Sequence, residues 1–142
     1  MTTREFINKE FGQSGRSKDC SSVHKDFDGN IYSYGYHYPL LFTINGRNIR
    51  NIRGYSNTTA RHILWSRDID AIDIHCPSGF RLGNDAWNLQ DCKRGQLAYI
   101  ESLQRQMESK KRKDTQVYKW LANDLSKAVN NLERLEVLAW VI

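Results

Sequence analysis

The last third of the chain carries the pattern that most restricts its architecture. Leu97, Ile100, Leu103 and Met107 recur at spacings of three, three and four. Val117, Leu121, Leu125, Ala128, Leu132, Leu135 and Ala139 resume the rhythm after a break. An α-helix brings residues so spaced to one side, so two amphipathic helices joined across residues 109–114 are expected, with Asp114 or Thr115 capping the second. That second helix spans about 24 residues, or about 36 Å at a rise of about 1.5 Å per residue. It is longer than a small sheet needs as cover. The hairpin is therefore expected to project or to pack against a second copy, with self-association through its apolar stripes giving a homodimer.

Upstream the period changes from helical to alternating. Val23, Lys25 and Phe27 alternate with polar neighbours, and Asp28-Gly29 supplies a turn before a return strand over Ile31–Tyr36. Pro39 interrupts, and Leu40–Ile44 begins a new strand. Asn45-Gly46 is the stronger turn signal, because both central positions of a type I′ turn need positive φ. Asn48–Arg53 completes that hairpin, and its basic residues Arg47, Arg50 and Arg53 mark it as an edge. Ser56 or Asn57 caps a helix over roughly 58–66, with Ile63 and Leu64 facing inward and Trp65 beside them. A strand-like run from Ile69 to Ile74 and a loop over 77–90 follow. A short helix is expected over Arg4–Phe11.

The expected fold is α+β: a small antiparallel sheet from about 21 to 76 with one short helix, plus a C-terminal antiparallel helical hairpin. At 142 residues this makes a single domain, with an N-terminal segment (1–20), an α+β core (21–90) and the hairpin (91–142). No apolar run approaches the roughly 20 residues that span a bilayer, and Met1–Phe11 has no signal-peptide core, so no membrane association and a cytoplasmic location are expected. Cys20, Cys76 and Cys92 form no CxxC pair and read as reduced thiols. Asp68 and Asp70 alternate away from Asp73 and His75, and no nucleotide or metal-loop motif occurs, so neither metal nor cofactor is expected.

Two stretches carry recognition chemistry. Tyr32-Ser33-Tyr34-Gly35-Tyr36-His37-Tyr38-Pro39 holds four of the seven tyrosines. In a strand, Tyr32, Tyr34 and Tyr36 share one face, where they can stack on bases, bind a peptide, or simply pack under the helices. Ser56-Asn57-Thr58-Thr59-Ala60-Arg61-His62 presents hydroxyls, free amides and a guanidinium at a helix start, which suits an anion as well as an ordinary cap. His37 and His62 are the candidates for an acid–base pair, which would make a small nuclease. Lys110, Lys111, Arg112 and Lys113 crowd the inter-helix turn, where they can meet phosphates, an acidic protein surface or only solvent.

The run YSYGYHYPLLF, a turn, and then GYSNTTARHI resembles an uncharacterised family of small bacteriophage and plasmid proteins. In that family a Ser-Tyr strand leads through a hairpin to a Tyr-Ser-x-Thr-Thr-x-Arg/Lys-His segment. The likeness spans Ile31–Ile63, under a quarter of the chain. It implies a mobile-element setting, in which small accessory proteins often bind host defence machinery. The leading expectation is thus a non-enzymatic protein that binds and inhibits a host defence complex, an anti-CRISPR acting on a CRISPR effector by steric blockade. A net charge of +5 argues against acidic mimicry of DNA. The alternative is a nucleic-acid-binding accessory protein using Tyr34, Tyr36, Arg47, Arg50, Arg53 and the 110–113 cluster.

Overall fold

A computed structural model describes residues 1–140. Helix α1 (Thr3–Glu10) leads into strands β1 (Val23–Lys25), β2 (Ile31–Ser33), β3 (Tyr38–Ile44) and β4 (Arg47–Asn51). Helix α2 (Asn57–Trp65) and strand β5 (Ile72–Ile74) come next, and the long helices α3 (Asp85–Glu108) and α4 (Gln116–Val137) close the chain, with a 3-10 turn over Leu138–Trp140. The α+β class and the terminal helical pair are as expected. No helix among the described residues is long and apolar enough to cross a membrane.

The five strands lie in sequence order in one sheet. Strands β1 to β4 form an antiparallel meander, but β5 runs parallel to β4. The expected all-antiparallel sheet is therefore a mixed one. The reason is α2, whose passage returns the chain to the starting end of β4, as parallel pairing requires. At the Asn45-Gly46 turn both residues have positive φ, 49° and 81°, as the hairpin signal demands. The hairpin base clasps this turn: the Asn45 amide donates to Asp85 Oδ2 at 3.0 Å, and its side chain donates to the Leu138 carbonyl at 2.7 Å.

β4 is not an edge, because β5 covers it. Arg50 lies opposite Asp73 in that pairing and is buried, with Nε donating to Asp73 Oδ1 at 2.9 Å. Its other guanidinium protons go to the carbonyls of Ser66 and Ile69, at 2.8–3.0 Å. A buried cation needs this complete a set of partners. Pro39 does not precede β3 but lies within it. It pairs with Tyr32 beside a register shift in β2, where a missing N–H is tolerated.

Three buried clusters hold the domain. Phe42, Ile44, Ile49, Ile72 and Ile74 of the sheet pack with Leu89, Cys92, Leu135 and Leu138 from the base of the hairpin. Phe6 and Ile7 of α1 pack with Val23, Ile31, Leu40 and Leu41, joined by Ile63 and Trp65 of α2. Leu64, expected inward, is exposed; the inward face of α2 carries Thr59 and His62 instead. The third cluster contains only hairpin residues, with Ile100, Leu103 and Ala128 at its centre and Leu121 and Leu125 against them. The outer half of the hairpin thus packs on itself and projects from the sheet.

Candidate binding surface

β2 ends at Ser33, so the tyrosines do not form one strand face. Tyr34 and Gly35 both take left-handed φ, 59° and 60°, and turn the chain into β3. Tyr34 is bulky for that region and is held there, its amide donating to the Ser22 carbonyl at 2.8 Å and its carbonyl accepting from the His37 amide at 3.3 Å. The turn separates the tyrosines by role. Tyr32 and Tyr38 are buried, while Tyr34, Tyr36 and His37 are exposed. Tyr32 donates to Asp26 Oδ2 at 3.0 Å. The Tyr38 hydroxyl meets the carbonyls of Asn51 and Arg53 at 2.8 and 2.7 Å, and burial pushes its pKa far up.

The tyrosine turn and the 56–62 segment meet. Ser33 Oγ lies 2.7 Å from His62 Nδ1 and 2.9 Å from Thr59 Oγ1. Ser56 caps α2 by accepting from the Thr59 amide at 3.0 Å, and its hydroxyl donates to Thr59 Oγ1 at 3.1 Å. One proton arrangement satisfies every member of this network. Ser56 donates to Thr59, Thr59 to Ser33 and Ser33 to Nδ1, which leaves the Nε2 proton facing Ser22 Oγ at 3.5 Å. Burial lowers the His62 pKa, in keeping with this neutral ring. Ser33, Thr59 and His62 are all closed to solvent.

Outside this network lies an aromatic corner. Tyr55, which precedes the α2 cap, places its ring 5.9 Å from Tyr34 and 5.5 Å from Tyr38, and Tyr36 lies 5.0 Å edge-on to Tyr32. Tyr36 and Tyr55 are each 58% exposed. Hydrogen bonding from Thr58, then from Ser56, lowers the Tyr34 pKa, with the Arg61 charge adding to it. Arg61 and Arg53 are exposed, and among the described residues neither pairs with a carboxylate; Arg53 donates to the Cys76 carbonyl at 3.4 Å.

Other predicted residues stand apart from the corner. Arg50 and Thr59 are buried and satisfied, so they hold the scaffold and touch no partner. Arg47 is half-buried and lies 3.6 Å from Asp70. His37 and His62 share no hydrogen bond or ring contact: one is on the surface and the other is sealed beneath it. Lys110, Lys111, Arg112 and Lys113 are exposed at the hairpin tip, where Arg112 pairs with Asp114 at 3.0 Å, and no polar contact joins them to the corner among the described residues. Sequence reasoning missed Tyr55 and Ser33 as parts of this surface. Ser33 stands inside the tyrosine stretch and Tyr55 one residue ahead of the 56–62 stretch, but only the fold reveals that Ser33 is the buried joint.

No family model, curated protein or solved structure matches the chain.

Proposed function

We propose that the protein is a mobile-element accessory protein that binds a host defence complex, a CRISPR effector, and inhibits it by steric blockade without catalysis. The observation that supports this reading is the pairing of a sealed hydroxyl–imidazole network with the exposed aromatic corner above it. The rings of Tyr34, Tyr36 and Tyr55 are braced against one another and against the buried Tyr32 and Tyr38 before any partner arrives. This bracing reduces the ordering cost of association, and His37, Thr58 and Arg61 stand beside the rings. Tyrosine and arginine are the side chains that most often dominate protein interfaces, since each offers wide contact area with a polar tip. The basic character of the corner favours an acidic or phosphate-bearing counterpart.

The test is phage plating on a host whose CRISPR system targets that phage, with and without the protein. Wild-type protein is expected to restore plaques, and a Tyr36→Ala/Tyr55→Ala variant with an unchanged melting temperature is expected not to. Intact interference in the presence of well-expressed wild-type protein overturns the reading.

A second reading, direct nucleic-acid binding, draws on the unpaired guanidiniums of Arg53 and Arg61 and the exposed cluster at 110–113. It requires affinity for free oligonucleotide that falls steeply with salt as phosphate counterions return. Blockade of a protein surface requires a shallower dependence.

A further inference from the structure

A second hollow, which shares Arg53 with the edge of the aromatic corner, lies where the segment after β5 meets α3. Its volume is about 540 Å³, and its lining includes Arg53, Arg94, His75, Tyr99, Ser78 and Ser102. Among the described residues no carboxylate lines it. A cavity of this size is in the range of small-molecule sites. Its walls combine two guanidiniums and hydroxyls with the apolar surfaces of Pro77 and Ala98.

The side chains are fixed from behind. The His75 ring stacks on Tyr99 with centroids 3.5 Å apart and planes at 13°. The His75 amide donates to Gln96 Oε1 at 2.8 Å, and Gln96 donates to the Ala128 carbonyl at 3.0 Å, so strand end, α3 and α4 brace one another. The acids of the neighbourhood lie elsewhere. Asp73 and Asp124 line the adjoining hollow, which the His75–Tyr99 pair also lines, and Asp73 is engaged by Arg50 and Arg67. Arg94 gives Nε and one Nη to Asp91 Oδ1 at 3.2 and 2.8 Å, which offsets part of its charge and leaves its second Nη for a ligand. The Arg53 side chain has the Cys76 carbonyl as its one partner among the described residues.

We infer that this cleft binds a phosphate ester carried on a nucleoside-like body, with Arg53 and Arg94 on the phosphate oxygens and the hydroxyls and apolar walls against the remainder. Guanidinium forks match phosphate oxygens in geometry and remain charged at any working pH. The inference does not depend on what the aromatic corner binds. The same phosphate chemistry could come from a free mononucleotide or from a nucleic-acid strand.

The test is calorimetric titration of the full-length protein with AMP, with adenosine and with a decathymidylate strand. AMP or the strand is expected to bind, adenosine to bind about tenfold or more weakly than AMP, and Arg53→Gln and Arg94→Gln each to weaken the phosphorylated ligand about tenfold. Lys119→Gln, which removes a charge outside the cleft, is expected to leave affinity unchanged. Tighter binding of AMP identifies a free-nucleotide site, and tighter binding of the strand identifies a strand-phosphate site. The inference fails if neither binds at millimolar concentration, if adenosine matches AMP, or if both arginine variants bind like wild type. Tyr36→Ala is the control that separates this cleft from the corner, because Tyr36 does not border Arg53 as Tyr55 does, and its nucleotide affinity should equal that of wild type.

Discussion

Ser33 Oγ sits 2.7 Å from His62 Nδ1, so the end of the tyrosine-bearing strand and the middle of α2 are joined by two side chains that solvent does not reach. Each alone is a polar group in a closed interior, and together with Thr59 they satisfy one another. Removing Ser33 leaves His62 Nδ1 without its partner in a closed interior and takes one contact from Thr59, which costs more than the lost bond itself. Ser33→Ala is expected to destabilise the fold by about 1–3 kcal/mol in urea denaturation. It should also loosen the Tyr34–His37 turn, read as faster amide exchange of Tyr34 and His37. A variant as stable as wild type would show that the network is incidental.

Stability should depend on pH through His75. Burial, with the Arg53 charge behind it, lowers its pKa from 6.5 to about 4. The folded protein therefore holds its proton less well than the unfolded chain. Stability is complete above pH 6.5, declines as pH falls towards 4, and is lost by up to about 3 kcal/mol over that window. Urea midpoints between pH 7 and 4 test this, and His75→Gln should flatten the slope. His62, with its pKa lowered by burial, acts in the same direction.

Arg50 and Arg61 were equally plausible as binding residues in sequence, yet they should respond oppositely to substitution. Arg50→Ala takes one partner from Asp73, which keeps Arg67, and strands the carbonyls of Ser66 and Ile69, and is expected to cost about 3 kcal/mol. Arg61→Ala removes an exposed, unpaired cation and should change stability by about 0.5 kcal/mol or less. Thermal denaturation of the two variants checks the distinction. Equal effects would contradict it.

That contrast marks how far the sequence was legible. Local signals were sufficient where the chemistry is local. Asn45-Gly46 turned where its positive φ values require, Ser56 and Thr115 capped α2 and α4 through their own hydroxyls, and the apolar rhythm of α4 ran into its helix. Residues 85–90, where α3 begins, fall inside the expected 77–90 loop because Gly79, Gly83 and Asn84 stand just ahead of them, and the buried face of the helix that follows mixes polar and small residues with Leu89. Asn88, Cys92, Gly95 and Gln96 are buried there, and a Cβ at Gly95 would lie 2.5 Å from the Pro77 nitrogen. Arg50 reads from sequence as an edge-strand cation and a binding residue because its acid, Asp73, comes from a strand 23 residues away. The meeting of Ser33 with His62, 29 residues apart, is likewise a product of topology that neither stretch encodes alone.

The most direct test of the account is capture of purified CRISPR effector complex on the tagged protein after nuclease treatment, comparing wild type with Tyr36→Ala/Tyr55→Ala. The account predicts stoichiometric retention of the effector by wild type at moderate salt and its loss from the double variant. Equal retention by both proteins, or loss of the effector from wild type once nucleic acid is digested, would contradict a rigid aromatic corner that docks on a protein surface.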